Sequence, residues 1–94
     1  MTQRIVAVRN QAVLQYLYDT GVINSLDPVI PYPTIEQVRG KRVFGDISHA
    51  LAAYAESVTV LELQVPRKWQ RVGLRRGMIE WARPRLRTYR VTRV

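Results

Sequence analysis

From Val58 to Val65 the chain runs Val-Thr-Val-Leu-Glu-Leu-Gln-Val, and Pro66 ends the run. Successive side chains of a strand point to opposite faces, so Val58, Val60 and Leu61 with Leu63 and Val65 make this segment apolar on nearly both. Such a strand belongs in the middle of a sheet covered on both sides, which points to a parallel α/β arrangement rather than to a solvated antiparallel ribbon.

The rest of the chain supplies the partners. Arg4-Ile5-Val6-Ala7-Val8 is a β-branched run suited to a buried strand. Asn10 follows as an N-cap for a helix through about Thr20, with Val13, Leu14, Leu17 and Tyr16 at helical spacing and Gly21 as the stop. Between Val22 and Val38, Pro28, Pro31 and Pro33 deny regular helix and central strand alike, so the stretch reads as mostly loop, with Val22-Ile23 or Val29-Ile30 available for a short edge strand. Lys41 to Phe44 reads as the next strand, ending at Gly45, and Ile47 to Glu56 as a helix capped by Asp46 or Ser48, with Leu51, Tyr54 and Ala55 inward. Met78, Ile79, Trp81 and Ala82 suggest a third helix stopped by Pro84, and Thr88 to Val94 alternates as a last strand. This order predicts a single Rossmann-like α/β domain over residues 1–94, with a mostly parallel sheet of about four to five strands and helices on both faces.

Ninety-four residues without cysteine leave a thin margin of stability and no covalent staple, so dimerisation is the expected support. The opening Met1-Thr2-Gln3-Arg4 lacks the apolar stretch of a signal peptide, and no apolar run approaches the ~20 residues that cross a bilayer; a cytoplasmic, non-membrane protein is expected.

The net charge of +8 is unevenly placed. Up to residue 66 acids and bases nearly balance, whereas Arg67, Lys68, Arg71, Arg75, Arg76, Arg83, Arg85, Arg87, Arg90 and Arg93 face Glu80 alone. Basic residues other than Lys41 and Lys68 are all arginine, whose planar fork suits bidentate phosphate contacts. A phosphorylated partner is expected.

In an open α/β sheet ligands bind beyond the C-terminal ends of the strands. That edge gathers Arg9 and Asn10, the turn Gly45 to His49, and the loop Gln64 to Gly73. Arg9 is placed to grip phosphate, while Asn10 either caps its helix or bonds a sugar or base. Gly45 lets backbone approach a ligand, but without a following Gly-Lys-Ser/Thr it is no Walker loop. His49, the one histidine, either serves as acid or base or faces the sheet. Arg67, Lys68, Trp69 and Arg71 form a basic loop with an aromatic inside it, suited to phosphates and a stacked base unless Trp69 folds into the core. One histidine and no cysteine assemble no usual zinc site, and Asp27 and Asp46 are assigned to turn and cap duty rather than to a shared magnesium ion; no metal or cofactor is expected.

Val6 to Ala12, Leu26-Asp27-Pro28, Val38 to Gly45 leading to Leu51-Ala52, Leu61-Glu62-Leu63 with Pro66, and Arg85 to Val91 together resemble a family of small CRISPR-associated proteins, the sixteenth of the Csx-type groups, which accompany type III systems. The chain departs from that family where Asn10 replaces a usual histidine, where Gln11 breaks a Pro-Gly, and at Asp46 to His49, where a Thr-Leu-Pro-Val-like turn stands in the family. The resemblance implies a Rossmann-like homodimer related to ring nucleases, which bind and cut cyclic oligoadenylate, chiefly the four-adenylate ring, in antiviral defence. It implies metal-independent attack by a ribose 2′-hydroxyl, with Arg9, Arg71 and Lys68 on phosphates, Asn10 and Ser48 positioning the sugar, and His49 moving a proton. Two other readings stay open: a sponge or sensor that binds the ring without cutting it, and a general RNA or DNA binder using the C-terminal arginines.

Overall fold

Arg4–Ala7 form the first strand, β1, and both of its edges are occupied in the computed structural model, which describes residues 3–64 and 76–92. On one edge β2 (Arg42–Gly45) pairs with it in parallel, Arg4 opposite Arg42 and Ala7 opposite Gly45. On the other, Val29 makes a parallel bridge to Val6: the Val6 amide donates to the Pro28 carbonyl at 2.8 Å and the Ile30 amide to the Val6 carbonyl at 2.8 Å. β3 (Ser57–Glu62) runs parallel to β2, and β4 (Arg85–Tyr89) closes the sheet antiparallel to β3, in the order β1-β2-β3-β4. The chain is thus a Rossmann-like α/β domain with a mostly parallel sheet.

The two connections out of β1's neighbourhood run in opposite directions. α1 (Gln11–Asp19) carries the chain from β1 to the Val29 edge, and α2 (Ile35–Val38) carries it back past β1 to β2. Because crossovers are right-handed, such connections must cover opposite faces. They do: Ile5, Ala7, Val43 and Val58 pack with Val38 of α2, Ile47, and Ala52 of α3 (His49–Ala52), while Val6 and Val8 pack with Leu17 of α1 and with Ile23. α4 (Arg76–Ile79) packs beside α1, and its Ile79, with Ala82 of the following 3₁₀ turn, is fully buried.

The first helix forms as expected and ends in a Schellman motif. The Gly21 amide donates to the Tyr18 carbonyl at 3.1 Å and the Val22 amide to the Leu17 carbonyl at 3.0 Å, with Gly21 at φ +76°. Three other expectations need correction. Residues 34–38 are not loop: Thr34 and Gln37 make a reciprocal capping box, Thr34 amide to Gln37 Oε1 at 2.8 Å and Gln37 amide to Thr34 Oγ1 at 3.3 Å, which starts α2 directly after Pro33. The helix expected over Ile47–Glu56 is reduced to the single turn of α3, because the next backbone groups bond to the start of β2, Gly40 amide to Tyr54 carbonyl at 2.9 Å and Glu56 amide to Lys41 carbonyl at 2.9 Å. The last strand is Arg85–Tyr89 rather than Thr88–Val94. Arg83 at φ 50° and Pro84 swing the chain straight back to the sheet, where Arg87 pairs with Glu62 at 3.2 Å and the Thr59 and Thr88 hydroxyls bond at 2.8 Å.

β3 lies between β2 and β4, as its composition requires, and among the described residues only one of its faces is well covered. Val58 is buried under α3, whereas Ser57 and Thr59 line an open hollow on the α1 side with Phe44 and Leu86.

Gly45 governs how closely β1 and β2 approach. It sits at φ +133°, and a Cβ there would collide with the Ala7 carbonyl. Gly45→Ala forces both a disfavoured dihedral and a shift of neighbouring backbone, a cost of about 2–3 kcal/mol. In thermal melts the variant is expected to unfold roughly 10 °C or more below the parent, and an unchanged melting temperature would contradict this packing.

Candidate functional site

β1 and β2 hand their chains over at the same edge of the sheet, through Val8-Arg9-Asn10 and Gly45-Asp46. Between these strands the direction of the connections reverses, and at such a switch point an open α/β sheet leaves a crevice. Two adjoining hollows occupy it. The larger, about 410 Å³, has a floor of Pro33, Ile47 and Leu51 and a rim that includes Tyr32 and Ser48. The smaller, about 230 Å³, is lined by Ala7, Val8, Asn10, Val13 and Leu61 among others. Arg9 and Asp46 line both. The larger is within the size range of small-molecule sites.

Arg9 is held in place by the loops it joins. Its Nη1 donates to the Pro31 carbonyl at 3.0 Å, its Nη2 to the Asp46 carbonyl at 3.2 Å, and its guanidinium carbon lies 5.0 Å from the centroid of the Tyr32 ring. A guanidinium has five N–H groups, so three have no partner among the described residues. Arg4, Arg39 and Arg42 are each paired with a carboxylate, Asp27, Glu36 and Glu56 respectively. Among the described residues Arg9 has none, and it is exposed at the crevice.

Asn10 acts as a cap. Its Oδ1 accepts from the Ala12 amide at 2.8 Å and the Val13 amide at 3.2 Å. Those are donors an anion would need at the start of α1, so an anion bound at this edge would have Arg9 rather than these amides to meet it, and the Asn10 side-chain amide nitrogen is what the residue offers the smaller hollow. Ser48 also caps, its Oγ accepting from the Leu51 amide at 3.3 Å, and the residue lines the larger hollow. His49 is exposed and lines neither hollow. Gly45 lines the smaller hollow, but its lack of a Cβ serves the approach of β1 first.

Arg67, Lys68, Trp69 and Arg71 lie outside the described residues. Of the three segments expected to converge, the Arg9 turn and the Gly45 turn do so, and Leu61 of β3 borders the same crevice. Arg83 and Arg85 line a separate hollow with Gln64 at the junction of β3 and β4, and Arg85 and Arg87 are exposed along the edge strand. Asp27 is far from metal duty: Arg4 grips both of its oxygens, Nε to Oδ1 at 3.2 Å and Nη2 to Oδ2 at 2.9 Å. Among the described residues no three acidic, histidine or cysteine side chains gather around a metal site, and no helix is long and apolar enough to cross a membrane.

Sequence reasoning missed Tyr32 and the double role of Asp46. The signal for Tyr32 was present in Pro31-Tyr32-Pro33: two prolines hold the aromatic out of helix and strand, and it is 78% exposed.

If Asn10 is chiefly a cap, Asn10→Ala should lower stability by about 1 kcal/mol, whereas Asn10→Asp or Asn10→Ser should hold it within a few tenths. Urea unfolding midpoints measure the difference, and equal midpoints for alanine and serine would remove the capping role.

No family model, no curated protein and no solved structure matches this chain.

Proposed function

We propose that this chain binds a cyclic oligoadenylate in the crevice between β1 and β2 and acts on the type III signal by holding the ring. One observation carries the reading: Arg9, without a carboxylate partner among the described residues and with three N–H groups to give, stands between two adjoining hollows at the switch point of the sheet. Its fork is suited to a phosphodiester, and its fixed position means that little side-chain freedom is lost on binding. The resemblance to the ring-nuclease-related family supplies the ligand class. A ring with two-fold symmetry matches a two-fold dimer in which each copy contributes one crevice.

Cleavage is the second reading, favoured by Ser48 lining the same hollow as Arg9. In it a ribose 2′-hydroxyl attacks the adjacent phosphorus and gives its proton to solvent water, the 5′-oxygen of the next nucleotide leaves and takes a proton from water, and a 2′,3′-cyclic phosphate forms; Arg9 neutralises developing charge on the phosphoryl oxygens. Holding is preferred because the side chain expected to move the proton, His49, lines neither hollow.

Calorimetric titration with cyclic tetra-adenylate in EDTA tests both. Saturable binding at one ring per two chains is expected, with a rise in melting temperature and with the ring recovered whole from the denatured complex. Arg9→Ala should weaken binding at least about tenfold, as loss of charged hydrogen bonds does. Recovery of linear di-adenylates would establish cleavage instead. Equal competition by mixed-sequence RNA, with a steep dependence on salt, would replace the proposal with general nucleic-acid binding.

A further inference from the structure

The larger hollow has features that a phosphate site does not need. Its floor of Pro33, Ile47 and Leu51 is apolar, its wall is an exposed tyrosine, and the acidic residue Asp46 is among its lining residues. Asp46 is exposed, and its carboxylate has no partner among the described residues: Arg9 bonds the Asp46 backbone carbonyl at 3.2 Å rather than its side chain. A free carboxylate repels phosphate and accepts from an N–H. Tyr32 has Arg9 against its ring and is nonetheless 78% exposed, so ring surface remains for a second flat group. An apolar slot with an aromatic wall and one strong acceptor at its mouth fits a nucleobase bearing an exocyclic amine.

We infer that the larger hollow is a base-reading subsite for an amino-bearing purine, in which Tyr32 stacks the base and Asp46 accepts a hydrogen bond from its exocyclic amine. This rests on the crevice being the ring site proposed above and adds what selects adenylate within it. Arg9 then divides the work: it takes the phosphodiester beside the slot, and its contact with Tyr32 sets the ring that receives the base. The stacking role expected of Trp69 has, in Tyr32, a counterpart on the opposite side of the sequence.

Three rings of equal charge separate the contributions: cyclic tetra-adenylate, cyclic tetra-inosinate, which replaces the amine by a carbonyl, and cyclic tetra-uridylate. The parent protein is expected to bind the adenylate ring about tenfold or more tightly than the inosinate ring, the scale of a charged hydrogen bond. Asp46→Asn, whose side-chain amide can accept or donate, should narrow that preference to about twofold or less. Tyr32→Ala should weaken the adenylate ring by about tenfold and the uridylate ring by less, whereas Tyr32→Phe should stay within about twofold of the parent. Equal weakening of all three rings by Tyr32→Ala would make Tyr32 a positioning residue for Arg9 and overturn the inference. Equal affinity of the parent for the three rings would also overturn it while leaving ring binding intact, and this arm needs no variant to fold. Failure of the parent to bind any ring would overturn both readings.

Discussion

Everything at the functional edge follows from β1 having a neighbour on each side. Val6 uses its amide and carbonyl toward Pro28 and Ile30 at 2.8 Å each, while the same strand pairs in register with β2 on its other edge. Ile5 and Ala7 enter one core, Val6 and Val8 the other. A strand so committed cannot slip by a residue without exchanging its two apolar sets and losing both ladders. Its end is therefore a fixed point, and Arg9 and Asn10 inherit that fixity. Gly45 completes the arrangement by letting the end of β2 come close beside Ala7.

Much of this was legible because local and global signals agree. Ile5 to Val8 reads as a buried strand and is one; Asn10 and Gly21 read as the ends of a helix and make the cap and the Schellman turn. Even the Val29 bridge was among the edge strands that the proline-rich stretch allowed. What failed did so where tertiary hydrogen bonds overrode periodicity. Leu51, Tyr54 and Ala55 keep helical spacing, yet Gly40 and Lys41 capture the backbone at Tyr54 and Glu56. Thr34-Ile35-Glu36-Gln37 carried a capping box that the neighbouring prolines outweighed, although Pro33 before a cap does no harm to the helix beyond it.

The basic surplus lies after residue 66, and its described members include Arg85 and Arg87, both exposed on β4, with Arg87 paired with Glu62. Among the described residues, Arg9 and Asp46 are the charged residues that line the crevice. What distinguishes Arg9 from Arg4, Arg39 and Arg42 is the absence of a carboxylate partner among the described residues, a property of three-dimensional pairing that no count of residues contains.

The capping of α1 explains why, in the proposed site, that arginine carries the burden. A helix start beside a strand end ordinarily presents bare amides to an anion, but here Asn10 Oδ1 already accepts from Ala12 and Val13. A phosphate approaching α1 would have to displace the Asn10 side chain and forfeit its capping contribution. Arg9 imposes no such exchange. Its bonds to the Pro31 and Asp46 carbonyls can persist while the remaining N–H groups engage a ligand. Because those bonds already order a long side chain and join the two loops that wall the larger hollow, the conformational cost of binding is met largely in folding.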